Sequence, residues 1–115
     1  MDELLIFTDN KTGDKVGMYY NVWLFIIKCI IIKYAHKTVQ EADDILKREP
    51  YYKKPENYYN VLCKSHDTEY HWAMLGVYGD LYWLKGISSD TPVGYDEWYD
   101  NCIKENNLNE PFEWF

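Results

Sequence analysis

Arginine is almost missing from this chain: Arg48 is the only one among 115 residues, and the lysines are scattered. A nucleic-acid surface needs clustered Lys and Arg against the phosphates, so direct nucleic-acid binding is not expected. The most basic stretch, residues 28–64, sets eight bases against five acids, spread over several segments, and reads as solvated surface. Long apolar runs are lacking too. Residues 22–32 (VWLFIIKCIII) cover eleven positions with Lys28 at the middle, well short of the roughly 20 apolar residues that span a bilayer. No membrane partner is expected. The opening residues Met1, Asp2 and Glu3 carry none of the positive charge of a secretory leader, and the expectation is a cytoplasmic protein. Cysteine is sparse and odd in number. Cys29, Cys63 and Cys102 each fall in a stretch that reads as apolar helix, which predicts buried free thiols in a reducing compartment. Phosphate-binding Gly-rich loops, nucleophile elbows and zinc-protease motifs are also absent, so the reading is a non-enzyme with no catalytic residue and no cofactor.

What is present is apolar and aromatic. Hydrophobic residues make up 47% and aromatics 18%, with twelve tyrosines and five tryptophans, far from the composition of a disordered chain. A chain of this length forms one domain, residues 1–115, able to bury roughly 65% of the surface its unfolded form exposes.

Local signals predict a mainly α fold, a compact bundle of four to five helices with a minor short-strand element. Residues 4–7 (LLIF) suit a strand or a short helix, and residues 8–15 a turn. Residues 16–37 are apolar on nearly every face, as in the central helix of a bundle; a buried strand is the alternative, and length favours helix. Thr38 and Glu41 have capping-box spacing, and Val39, Ala42, Ile45 and Leu46 follow on one stripe up to a stop before Pro50. A third helix is expected over residues 56–64 with Tyr59, Leu62 and Cys63 inward. A fourth starts at Asp67 or Thr68 and runs toward Gly79. Residues 81–84 suit helix or strand. Ser88 to Pro92 offers an N-cap and a helix-starting proline, and Tyr95, Trp98, Tyr99, Cys102 and Ile103 form an amphipathic stripe. The expected core is Val22, Leu24, Phe25, Ile27, Ile31, Ile45, Leu46, Leu62, Trp72, Leu75, Trp98 and Ile103.

Three groupings could carry function. Cys63, His66 and His71 have partial metal-ligand spacing, but the second pair of a structural zinc site is missing, so no metal is assigned. A Cys–His nucleophile pair, or Glu69 with His71 as acid and base, would need a geometry that spacing does not supply. Trp72, Tyr78, Tyr82 and Trp83 could wall a ligand pocket or fill the core. The third grouping carries the charge. Residues 86–115 hold seven acids against Lys104 alone, a net of −6 out of −7 for the chain. Asp96, Glu97 and Asp100 project from the polar side of the predicted helix, and Glu110, Phe112 and Trp114 follow in a tail too polar and proline-interrupted to extend it. Carboxylates beside bulky aromatics are the anatomy of a surface that docks a basic protein.

In size, acidity, absence of catalytic motifs and a composition rich in Lys, Asn, Ile and Tyr, the chain resembles the cytoplasmic immunity proteins of bacterial polymorphic and contact-dependent toxin systems. The resemblance implies a small inhibitor that binds a cationic toxin domain, often a nuclease, and blocks its active site or substrate path. A phage-encoded inhibitor of a host nucleic-acid enzyme would read almost identically, and a small metal-binding or enzymatic domain centred on Cys63, His66 and His71 is a third reading.

Overall fold

The chain begins as a hairpin and returns to that hairpin at its far end. In the computed structural model, which describes residues 3–115, β1 (Leu5–Thr8) pairs antiparallel with β2 (Lys15–Met18). The turn between them is closed by Asp9 N–H donating to Asp14 O at 2.8 Å and by an Asp9 side chain that accepts from Lys11 N–H and Thr12 O–H. Helix α1 (Tyr20–Tyr34) follows at once, then α2 (Val39–Arg48), a 3₁₀ turn over Pro50–Tyr52, α3 (Tyr58–His66), α4 (Glu69–Tyr78), a second 3₁₀ turn over Tyr82–Lys85, and α5 (Tyr95–Glu105). The last strand, β3 (Phe112–Trp114), pairs antiparallel with β2, so the sheet order is β1-β2-β3. The fold is mainly α, with five helices and a small three-stranded sheet among the described residues.

Helix α1 is the axis. Val22, Trp23, Ile26, Ile27, Ile30 and Ile31 are buried and form a two-residue-wide stripe at helical spacing. The helix packs against α2 and α4, and Trp23 meets the rings of Tyr20, Tyr52 and Trp72 within 6.3 Å. It ends with His36 in the left-handed region and Lys37 N–H reaching back to Ile31 O. Thr38 and Glu41 make both halves of the capping box that opens α2. Thr68 caps α4, and Gly79 closes it at φ +85.

Several expectations need correction. Residues 16–18 are strand, because β2 lies between two partners; the helix begins only at Tyr20. Leu24 and Phe25 are half-buried, and Trp23, Ile26 and Ile30 take the core places. In α3 the buried residue is Val61, while Tyr59 and Cys63 are exposed and Leu62 is half-buried. This short helix leans on β2 along a single ridge. Trp72, Trp98, Ile103 and Leu46 flank the core half-buried. Residues 81–84 are not a strand: Leu81 at φ 57 and Gly86 at φ 89 bracket a tight 3₁₀ turn. Pro92 does not begin α5. Its carbonyl accepts from Tyr95 N–H, Gly94 turns left-handed, and the helix starts after it with no side-chain cap. Among the described residues no helix is long and apolar enough to cross a membrane.

Candidate functional site

Helix α5 is held to the bundle by aromatic side chains. Tyr34 is the hub, with Trp98 at 5.6 Å, Tyr95 at 6.0 Å and Tyr70 at 5.9 Å between ring centroids. The stripe Tyr95, Trp98, Tyr99, Cys102 and Ile103 faces inward as its spacing predicts. Asp96, Glu97 and Asp100 therefore stand on the solvent side, all exposed, and none has a basic partner within 4 Å among the described residues. Asp96 and Glu97 occupy the first turn, where the helix dipole favours negative charge.

The structure adds a neighbour that spacing does not reveal. Tyr99 O–H donates to Glu69 Oε1 of α4 at 3.3 Å, and Glu110 comes close enough to act on both. Burial, reinforced by the Glu110 charge, raises the Glu69 carboxyl above the usual carboxylate range. Burial and then the Glu69 and Glu110 charges raise the Tyr99 hydroxyl well above its ordinary value. Burial likewise raises Tyr95, with Glu69 and Asp96 adding to it. Asp96, Glu69 and Glu110 thus make one acidic corner around Tyr95 and Tyr99. In sequence Glu69 stood beside His71 as a candidate acid–base partner. Two residues apart on a helix, they face opposite ways.

The tail docks on its own sheet. Tyr19 N–H donates to Pro111 O at 2.7 Å, Met18 pairs with Phe112, and Val16 with Trp114. Phe112 is half-buried, whereas Trp114 is 59% and Phe115 65% exposed. A side chain at Gly17 would lie 2.7 Å from Leu4 Cδ1 and 3.3 Å from the Phe115 ring, so glycine lets both side chains lie across the outer face of the sheet. Of the six residues singled out, Asp96, Glu97, Asp100, Glu110 and Trp114 are exposed, and Phe112 anchors the strand that presents Trp114.

The histidine grouping is brought together only in part. His66, Asp67, His71, Trp83, Asp90 and Thr91 line an open groove of about 520 Å³. His71 Nδ1 lies 2.9 Å from Tyr82 Oη and Nε2 lies 3.7 Å from Asp67 Oδ2. The hydrogen bond to Tyr82 is made at Nδ1, which leaves Nε2 turned toward Asp67. Tyr82 is fully buried, so its hydroxyl positions the imidazole and does not reach solvent. Cys63 is exposed on α3 and is not part of this groove, and no three His, Cys, Asp or Glu side chains converge as metal ligands among the described residues. Of the four aromatics, Tyr82 and Trp72 serve the core and only Trp83 lines the groove.

Fold and surface together define a small, mainly helical, acidic domain with a carboxylate face that is unpaired among the described residues and with exposed aromatics at its sheet. No protein-family model, curated protein or solved structure matches the chain.

Proposed function

We propose that this protein is a protein-binding inhibitor that neutralises a basic partner, a toxin or nuclease domain in the cytoplasm, through the acidic and aromatic surface built by α5 and the tail. The observation that carries the reading is the state of Asp96, Glu97 and Asp100: three exposed carboxylates on one helix with no base within 4 Å among the described residues. A solvated helix face usually mixes signs; this one sets Asp96, Glu97 and Asp100 against Lys104 alone. A nuclease cleft collects Lys and Arg to hold phosphates, and carboxylates at helical spacing can occupy those same positions. Trp114 then supplies apolar area that a partner can bury.

The test is affinity capture from a lysate of the source organism, comparing wild type with Asp96→Lys/Glu97→Lys/Asp100→Lys and with Trp114→Ala, all checked for folding by circular dichroism. A basic protein held by wild type, lost by the triple variant and weakened by Trp114→Ala is expected. Activity of the captured protein should fall when wild type is added back. Capture that survives triple charge reversal, or a captured protein whose activity is untouched, would sink the reading.

A further inference from the structure

Helices α1 and α5 border a groove of about 370 Å³, lined by Cys29, Ile32 and Lys33 on one side and Trp98, Cys102 and Asn106 on the other. Two of the three cysteines of the chain therefore line one groove, from positions 29 and 102, while Cys63 stands apart and exposed on α3. Cys102 is buried and Cys29 half-buried, so the groove gives access to the pair mainly through Cys29. Asn106 Nδ2 lies 3.8 Å from Cys102 Sγ and bonds Cys102 O at 2.8 Å, which fixes this side of the groove at the end of α5. Across the groove each thiol lies close enough to alter the other's ionisation.

We propose that Cys29 and Cys102 form a covalent modification site, a thiol pair that a low-molecular-weight disulfide oxidises to an intramolecular disulfide stapling α5 to α1. The Cys29 thiolate attacks the reagent disulfide, forming a mixed disulfide and releasing one reagent thiolate. The Cys102 thiolate then attacks the Cys29 sulfur, forming the protein disulfide and releasing the second. Two protein thiols are oxidised, one reagent disulfide is reduced to two thiols, and the protons pass to the released thiolates. The second step is intramolecular, which favours closure over a lasting mixed disulfide. Burial raises the Cys29 thiol to about 11, with Cys102 adding to the rise and Lys28 opposing it. Thiolate is therefore scarce at neutral pH, and closure is slow there and faster in mild alkali. Lys33 and Glu105 are the other charged groups at the groove. The consequence is specific to α5, whose attachment otherwise includes the aromatic hub at Tyr34 and the hydrogen bond from Tyr99 to Glu69. The proposal does not depend on what the acidic face binds.

The experiment uses the full chain carrying Cys63→Ser, so that the exposed thiol neither caps nor dimerises. The protein is treated with oxidised glutathione at about pH 8.5, where the thiolate, though still scarce, is roughly 30-fold more abundant than at pH 7. Expected are loss of both thiols with no glutathione mass added, reversal by dithiothreitol, and a melting temperature raised by roughly 10 °C, since a long loop is closed. The further variant Cys29→Ser, confirmed folded by circular dichroism, should keep Cys102 free or singly glutathionylated and show no such rise. Thiols that stay titratable, glutathione retained on both cysteines, or a disulfide that lowers the melting temperature would each overturn the proposal.

Discussion

Gly76 shows how one residue can be dictated by a partner across the fold. A Cβ built there would lie 1.9 Å from Tyr52 Oη, and Tyr52 has nowhere to retreat: its ring is buried and its hydroxyl donates to Trp72 O at 2.6 Å. Gly76→Ala is expected to cost about 3 kcal/mol in urea unfolding, the upper end of overpacking penalties. Adding Tyr52→Phe should return part of that loss, because the atom struck first is gone; strict additivity would show that the clash lies elsewhere. Glu69 makes the pH-dependent case. Burial and the Glu110 charge raise its carboxyl in the folded chain, so the native state holds this proton more tightly than the unfolded state does. Its favourable contribution is complete below the ordinary carboxylate range and is lost as pH rises through the raised value. Glu69→Gln should therefore stabilise the protein at neutral pH, with the two unfolding midpoints converging in acid. A variant less stable than wild type at pH 7 would mean that the charge is net favourable where it sits.

Among the helices, α2 is the one whose start is most fully specified by local chemistry. Thr38 Oγ1 accepts from Glu41 N–H at 3.1 Å and Glu41 Oε1 accepts from Thr38 N–H at 2.9 Å. Thr38→Ala should cost about 1 kcal/mol, read as a lower urea midpoint at unchanged slope. A null effect would leave the helix held by Ala42 and Ile45 alone. This cap was legible in the sequence because all its partners lie within one turn, and the same holds for Gly79 and for the inward stripe of α5. The first strand was legible as well, in the short apolar run at residues 4–7, but β2 and β3 were not, for the opposite reason. Val16 runs into the apolar helix without a break in hydrophobicity, and its other partner, Trp114, is almost the whole chain away. No local pattern announces that residues 112–114 are an edge strand. Cys63 and Tyr59 were misplaced because α3 contributes only Val61 to the core, too little for its stripe to be read. The exposed side of α5 could be read from periodicity; the corner that Glu69 completes depends on how α4 and α5 pack, and no spacing contains that.

For the whole molecule, the decisive feature is that charge and fold are unevenly matched. Residues 86–115 carry −6 of the −7, yet they close the fold: the chain leaves α5, returns through Pro111 and completes the sheet. A surface of one sign that is wound onto a packed domain is preorganised, so its field is present before any partner arrives. Such a field acts chiefly on the encounter rate and is screened over about 8 Å at physiological salt, whereas buried aromatic contacts govern how long a complex lasts. Wild-type association with the captured partner should therefore slow at least roughly tenfold between low and high salt, with dissociation changing far less. In Asp96→Lys/Glu97→Lys/Asp100→Lys each substitution adds two charges, taking the net from −7 to −1. Its association should be slow at every salt concentration and nearly flat against salt. Trp114→Ala should do the reverse, leaving the association rate and its salt slope in place while shortening the complex lifetime. Stopped-flow traces for the three proteins separate these roles. If the triple variant kept the wild-type salt slope, the steering charge would have to lie outside α5, and Glu110 with Glu113 on the tail would be the next positions to reverse.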